Sequence, residues 1–581
     1  MIIIKEIFTL IGTKRRTRMF LLLPAMILAS LLEMAGLAMV VSICSVIVSD
    51  DVVDEKIPIQ WLQRAFHISS EDGTIITVLV LLIVLYVFKL VYLAWENYAV
   101  AKFVRMTRNE MTTVLYGRII RSPYSFFLRH TTAEIQNMLG QDMFQLSSAL
   151  NACMQTIMET LVVIGMGIFL LMLNPIMTAF TAGSIVVLLV ITRVFLNRPI
   201  RSASMRQREA SRNRLKWLHY TAEGIKDIKT SRREAFFETH FAYADAEFAQ
   251  SDYLKQFWTK LPSLCIEAVM VISVLLYLLF FVQSGETLTG SLPGLTALAW
   301  TAVRLLPACS RINTSLTQIG YAKPSVEAIR CAMEETAPAN RGVEFASQTE
   351  VDISKGIVLR HVSFSYESRT DDVVKDVGLE IPAGCAVGIV GISGAGKTTL
   401  LNLLLGLLTP TDGTVEIDGI PLEKCRESYW KRLAYVPQTT FLLDDTIRNN
   451  VAMGIEQNGI DDAQVWAALE KAALADTVRA LPHGLDTQIG ERGVTLSGGE
   501  RQRLGLARAM YPNPSVIVFD EATSALDSET EAEVLKSIGR LKGEKTLVIV
   551  SHRLSALSVC DHIYRVSDGS VYRVNGNKVC G

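Results

Sequence analysis

GISGAGKT, Gly391 to Thr398, follows the apolar run CAVGIV and leads into TLLNLLLGLL. Its spacing fits G-x-x-x-x-G-K-[ST], a loop whose glycines let backbone N–H groups close around phosphates while the lysine reaches the terminal ones. The pattern recurs by chance, so its neighbours matter. LSGGE, Leu496 to Glu500, stands about twenty residues ahead of VIVFDE, Val516 to Glu521, an apolar strand that ends in two adjacent carboxylates. Tyr366 lies before the loop, Gln438 between the two halves and His552 after a further apolar run, TLVIVSH. Runs such as CAVGIVG, SVIVFDE and TLVIVSH alternate with helical stretches, the pattern of a mostly parallel sheet flanked by helices.

Composition divides the chain. Half of its 581 residues are hydrophobic, too many for a soluble chain of this length, so a membrane portion is expected. The formal charge of −1 points to no nucleic-acid partner. The nine cysteines show neither a CxxC pair nor metal-ligand spacing and read as free thiols in a reducing compartment. The basic cluster Lys14, Arg15, Arg16 and Arg18 directly precedes a long apolar run without a small-residue cleavage site, which describes a first membrane helix rather than a removed signal peptide.

Six apolar stretches are long enough to cross a bilayer: 19–48, 74–95, 144–173, 176–196, 261–283 and 292–312. Two long polar connections, between the second and third and between the fourth and fifth, are nearly free of Gly and Pro and are expected to be helical extensions beyond the lipid. Residues 96–141 carry six Lys or Arg and 196–257 carry twelve, against two in 49–73. The positive-inside rule then puts both long loops and both termini in the cytoplasm. Residues 332–350 lose apolar periodicity and read as a linker, giving a membrane domain over 1–331 and a nucleotide-binding domain over 351–581.

The six segments together resemble the nucleotide-binding domain of ATP-binding cassette (ABC) proteins, and the whole chain resembles bacterial ABC half-exporters. The fold this implies is an all-α six-helix transmembrane domain of ABC exporter type plus an α/β P-loop nucleotide-binding domain. The resemblance also implies roles. Tyr366 stacks on adenine, although as an isolated tyrosine on a strand it reads as core. The backbone of Gly391, Ile392, Ser393, Gly394, Ala395, Gly396, Lys397, Thr398 and Thr399 cradles the phosphates of ATP, and the Lys397 ammonium neutralises the terminal ones. Thr398, Gln438 and Asp520 supply oxygens to Mg²⁺, a hard cation. Glu521 is the general base for the attacking water, and His552 contacts the γ-phosphate. Ser497, Gly498, Gly499 and Glu500 form an anion site at a helix start that faces the nucleotide of a second ATPase domain, so the chain is expected to work as a homodimer. Glu500 stands where the family more often has Gln. TQIGERG (487–493) and SALD (524–527) resemble loops connecting the two ATPases, and RSPYSFFLRHTTAEI (121–135) and EGIKDIKTSRREAFFETHF (223–241) resemble the tips that couple to them.

AVRLLPACSRIN (302–313) bears on the substrate. Arg304 and Arg311 are seven residues apart, hence on nearly one helix face about 10 Å apart along its axis. Such a pair suits a phosphate or pyrophosphate; alternatively, Arg311 sits at the cytoplasmic end and snorkels. The run is similar to one in lipid-linked oligosaccharide flippases. In the outer loop, IPIQWLQRAFH (57–67) has Ile59, Leu62 and Phe66 on one face, fit for a membrane surface. The expected activity is ATP-driven export or flipping of an amphipathic substrate, a lipid or lipid-linked oligosaccharide, across the cytoplasmic membrane. Peptide or drug export, one half of a heterodimer, and an ATP-gated channel or sensor stay open; a measured ATPase rate separates the last from the rest.

Overall fold

The computed structural model describes residues 2–48, 71–173, 197–283, 288–337, 349–366, 371–490, 493–523 and 526–574, with a few isolated positions in 174–196. The fourth apolar stretch and the 57–67 segment lie outside the described residues, as do parts of the 487–493 and 524–527 loops. The chain divides into two compact units, residues 1–122 with 130–340, and 123–129 with 341–581.

The described secondary structure of the first unit is helical. Its longest members, Glu71–Ile120 and Glu234–Gln283, run 50 residues each, about 75 Å at 1.5 Å per residue. A hydrocarbon core of about 30 Å takes less than half of that, so the polar connections extend the membrane helices as expected. Among the described residues, Thr13–Gly36, Leu79–Ile120 and Thr132–Phe169 are long and apolar enough to cross a membrane. The fifth and sixth apolar stretches fall within helices Glu234–Gln283 and Leu288–Tyr321. Ile83, Val84, Val87, Leu90 and Val91 are each more than half exposed, an apolar face that suits lipid and not water.

The basic cluster ahead of the first membrane helix is already helical, since Thr13–Val48 begins before it. Arg15 and Arg18 both grip Glu110, at 2.8 and 3.0 Å, which ties the amino-terminal turn to the extension of the second membrane helix. The helix Lys323–Glu335 runs four residues into the stretch read as a linker. Val326, Ile329 and Ala332 lie on its buried face, a helical spacing that the polar residues between them conceal. The segment Pro123–Arg129 is counted with the second unit, unlike the 1–331 boundary expected from sequence. Tyr124 packs against that unit's apolar core.

The second unit holds two sheets. Strands β1 (Gly356–Phe364), β2 (Val374–Pro382), β4 (Asp412–Ile417) and β5 (Ile420–Pro421) form an antiparallel sheet in the order β2-β1-β4-β5. The other is ordered β10-β9-β3-β8-β7-β6, with β3 Ala386–Val390, β6 Leu433–Val436, β7 Val516–Asp520, β8 Thr546–Val550, β9 His562–Ser567 and β10 Ser570–Val574. All its pairs are parallel except the edge pair β9–β10.

The apolar runs are continuous because both faces of this sheet are covered. Val516, Val518, Val548 and Val550 join one core cluster, while Ile517, Phe519, Leu547 and Ile549 join another. Successive side chains on a strand point to opposite faces, and each face is buried. In this sheet β3, β8, β7 and β6 are consecutive neighbours. Their carboxyl ends therefore lie side by side, and the residues just beyond them meet at one edge.

Candidate functional site

Four strand ends deliver the site. After β3 comes the loop Gly391–Gly396, which turns directly into the helix Lys397–Leu404. A Cβ on Gly391 would stand 2.4 Å from the Val566 carbonyl oxygen, and Gly396 has φ of 102° with the Val373 carbonyl oxygen 2.9 Å from where its Cβ would be. Both positions require glycine, one for space and one for backbone handedness. Ala395 is buried beneath the loop, while the Ile392 side chain is 72% exposed. For Ile392 only the backbone is available to a phosphate.

The residues after the other strands complete a cleft of about 750 Å³, lined among others by Tyr366, Ser393, Gly394, Gly396, Lys397, Thr398, Thr399, Gln438, Asp520, Glu521 and His552. Lys397 Nζ donates to the carbonyls of Gly391 and Ile392, at 2.6 and 2.9 Å, so its ammonium lies across its own loop. Burial lowers its pKa from the ordinary lysine value, while the Glu521 and Asp520 carboxylates pull it back.

Glu521 is the hub. Gln438 Nε2 donates to its Oε2 at 2.6 Å, and His552 Nε2 lies 3.0 Å from its Oε1. Its backbone is in the left-handed region, φ 48°, a conformation that costs a non-glycine residue about 1–2 kcal/mol. The Glu521 N–H donates to the Val550 carbonyl at 2.9 Å, which anchors the strained residue to the neighbouring strand. Backbone strain of this kind is retained where surrounding contacts enforce it, commonly at functional sites.

Asp520, the last residue of β7, accepts from the Tyr435 hydroxyl at 3.1 Å. Burial raises the Asp520 pKa, and the Tyr435 bond opposes that rise. Burial together with the Asp520 charge pushes the Tyr435 phenol upward, so it stays a donor. Thr398, Gln438 and Asp520 are the oxygen donors that fit Mg²⁺. Gln438 spends its amide nitrogen on Glu521, which leaves its carbonyl oxygen as the end for a cation.

Tyr366 lines the cleft, packs edge-on against Phe364 with ring centroids 5.0 Å apart, and shares a 3.0 Å hydrogen bond with the Thr399 hydroxyl. Thr399 is only 5% exposed. Its hydroxyl is thus committed to fixing Tyr366, and only its backbone is left for phosphate.

Ser497, Gly498, Gly499 and Glu500 do not line this cleft. They open the helix Gly498–Met510 with a reciprocal capping box: Ser497 Oγ accepts from the Glu500 N–H at 3.3 Å, and Glu500 Oε2 accepts from the Ser497 N–H at 2.7 Å. Glu and Gln serve equally at the third position of that box, which explains why Glu500 is tolerated.

Two contributors escaped sequence reading. Tyr435 looks like any exposed strand residue until the order of β6 beside β7 sets it against Asp520. Glu531, 7% exposed, accepts from Thr523, Ser555 and Arg553 at 3.1, 3.1 and 2.7 Å. It clamps the segment after Glu521 to the segment after His552. A glutamate on an amphipathic helix carries no sequence signal for that.

In the first unit, Arg304 and Arg311 do line one cavity, of about 360 Å³, but they do not present two free cations. Arg304 Nε and Nη2 reach Glu33 at 2.6 and 2.5 Å, and Arg311 Nε lies 2.5 Å from Glu159. The two expected cations are each engaged by a carboxylate in this structure. The reason is that Glu33 and Glu159, on two other helices, reach into the same space. Arg311 is drawn to a carboxylate that is 5% exposed, not outward to a membrane surface.

Comparison with known proteins agrees with this architecture. The ABC transporter family pattern matches residues 374–524, and the ABC transporter transmembrane region matches 24–299. The ATP-dependent lipid A-core flippase of Cupriavidus pinatubonensis (strain JMP 134 / LMG 1197) is 30% identical over 80% of this chain and 78% of its own. That of Burkholderia orbicola (strain AU 1054) is 31% identical over 82% and 78%. A bacterial Atm1-family ABC exporter with ATP bound superposes with a TM-score of 0.77 at 20% identity, covering 96% of this chain and 94% of the other, a likeness of fold.

Proposed function

The chain belongs to the ABC transporter family, and from that premise we propose that it is an ATP-driven flippase of the bacterial inner membrane, acting on an amphipathic lipid such as a lipid-linked oligosaccharide or lipid A-type glycolipid. The observation that carries the reading is one cleft gathering Lys397, Thr398, Gln438, Asp520, Glu521 and His552, on a chain whose other unit is built of long apolar helices. The ATPase and both termini face the cytoplasm in this reading.

ATP lies with its phosphates on the backbone of Gly391–Thr399 and its adenine on Tyr366. Mg²⁺, held by Thr398, Gln438 and Asp520, supplies charge neutralisation at the phosphates. Lys397 exchanges its own loop carbonyls for phosphate oxygens. Glu521, oriented by Gln438 and His552, accepts the proton of the attacking water. Ser497 to Glu500 stand at a helix start outside the cleft, so each site is completed by the other copy in a homodimer. Closure on ATP then drives the helices from inward-facing to outward-facing.

Reconstitution tests this directly. Purified protein in liposomes should move a fluorescent lipid to the leaflet opposite the ATPase only with hydrolysable ATP; hydrolysis without movement of any lipid offered would refute the flippase reading. A mixture of Lys397→Ala and Ser497→Ala chains generates one doubly damaged and one intact site per mixed dimer. Activity in the mixture should exceed that of either variant alone, and no gain would refute shared sites.

A further inference from the structure

The membrane cavity holds one carboxylate more than its guanidiniums neutralise. Glu33 pairs with Arg304 and Glu159 with Arg311, leaving Glu96 on the helix Glu71–Ile120 as the third carboxylate in the lining. Glu96 is 2% exposed, and among the described residues neither of its carboxylate oxygens has a hydrogen-bond partner. Among the described residues Glu159 Oε2 has no hydrogen-bond partner either, and Arg311 Nε, although 2.5 Å from Glu159 Oε1, forms an ion pair there without a hydrogen bond. Lys89, seven residues earlier on the Glu96 helix, places its ammonium over the Tyr86 ring at 5.1 Å and is not part of the lining, although it lies within the electrostatic reach of Glu33 and Arg304. Asn97 donates its amide to the Leu93 carbonyl at 2.8 Å and does not reach Glu96.

A buried, unpartnered carboxylate carries a desolvation cost that a native fold retains for a reason. Ionisable groups inside a membrane domain mark ligand or ion paths. We propose that this cavity binds the primary ammonium group of an amphipathic ligand, with Glu96 as its principal acceptor and Glu159 Oε2 as a second. The match is one of number as well as charge. Among the described residues, three carboxylate oxygens of the lining glutamates lack a hydrogen-bond partner, and an ammonium carries three N–H donors and no acceptor. The two ion pairs then act as walls: each guanidinium is held off the ammonium by its own glutamate. This ammonium site goes beyond the proposed function and does not depend on which lipid is flipped.

The test is equilibrium binding without nucleotide, so that it can fail while ATP-driven flipping stands. Full-length protein in phosphatidylcholine nanodiscs is titrated with dansylcadaverine, a fluorescent primary amine, and with its N-acetylated, uncharged analogue. Wild type should bind the amine at least about ten-fold more tightly than the analogue, as expected for losing a charge-assisted bond. Glu96→Gln should erase that preference while binding the analogue as wild type does. Equal affinity of wild type for the two probes overturns the proposal whatever the variant does, and so does a Glu96→Gln protein that keeps the preference. Replacing phosphatidylcholine by phosphatidylethanolamine, whose head bears the same ammonium, identifies the source. Competition by that lipid assigns the site to a lipid head, and undiminished dansylcadaverine binding assigns it to a free amphiphilic amine; either result supports an ammonium site.

Discussion

The cleft of the ATPase unit and the cavity of the membrane unit both concentrate carboxylates and cations, yet they are assembled in opposite ways. In the cleft, Asp520 and Glu521 are adjacent in the chain, and their partners Tyr435, Gln438 and His552 come from the ends of strands hydrogen-bonded in register. A sheet edge positions them, and Gln438, Asp520, Glu521 and His552 line one cleft. In the cavity, Glu33 and Arg304 are 271 residues apart and meet only because two helices pack. There the side chains position the helices, because lipid supplies little hydrophobic force between them and polar pairs contribute to their association. A charge in the cleft is accordingly available for chemistry, while most charges in the cavity are committed to structure.

The sharpest way to break this contrast is at the hub. Glu521→Gln keeps the size of the side chain and removes the proton acceptor, so ATP hydrolysis should fall by about 10²–10⁴-fold with nucleotide binding retained. Single-turnover hydrolysis and a nucleotide-binding titration on the same protein measure the two. A variant that still hydrolyses at the wild-type rate removes Glu521 from the role of base.

In the cavity the corresponding change should be a matter of stability. Arg304→Met leaves Glu33, 6% exposed, without its partner, and removing one member of a buried pair costs about 3–5 kcal/mol. Replacing both residues, Glu33→Gln with Arg304→Met, should recover most of that loss, since no uncompensated charge is left. Thermal unfolding of the three proteins in one detergent measures it. If the single and double variants unfold together, the pair is not structural, and Arg304 returns as a candidate for binding an anionic head.

The same contrast explains how much could be read in advance. The phosphate loop, the carboxylate-ended strand and the first three apolar stretches are local in sequence, since they follow from glycine spacing, from strands buried on both faces and from the length of an apolar run. The extension of the helix through Glu335, the Tyr435–Asp520 bond and the Glu531 clamp depend on which elements become neighbours. Nothing in the spacing of Arg304 and Arg311 discloses that Glu33 and Glu159 reach them. A face of one helix is legible, but the face opposite it is not.

A smaller effect sits on Tyr435. Its hydroxyl opposes the upward drift that burial imposes on Asp520, so Tyr435→Phe should raise the Asp520 pKa further. Magnesium coordination needs the ionised carboxylate, which is lost as pH falls through that pKa. The acid limb of the ATPase pH profile should therefore move to higher pH in the variant, with a loss of a few-fold near neutrality, the effect of about 1 kcal/mol for a part-exposed hydrogen bond. A pH–rate profile of both proteins checks this. An acid limb that stays in place means that Tyr435 does not act through Asp520.

The smallest expected effect separates the two roles that a signature glutamate could have. Glu500 returns a hydrogen bond to the Ser497 N–H at 2.7 Å, and a glutamine amide oxygen can accept the same bond. If the side chain serves only the helix start, Glu500→Gln should leave stability and ATPase nearly unchanged, while Glu500→Ala should cost about 0.5–2 kcal/mol of local stability. Hydrogen exchange of the amides at the start of the Gly498–Met510 helix reports the cap, and ATPase rate reports the site. The carboxylate also places a negative charge at a helix start that is expected to meet a phosphate of the partner's nucleotide. Were that charge to repel the nucleotide, Glu500→Gln would raise apparent ATP affinity. A measurable gain would thus mean that this helix start departs from the design of the cleft, where charge serves the ligand, and shares that of the cavity, where charge is committed to holding structure.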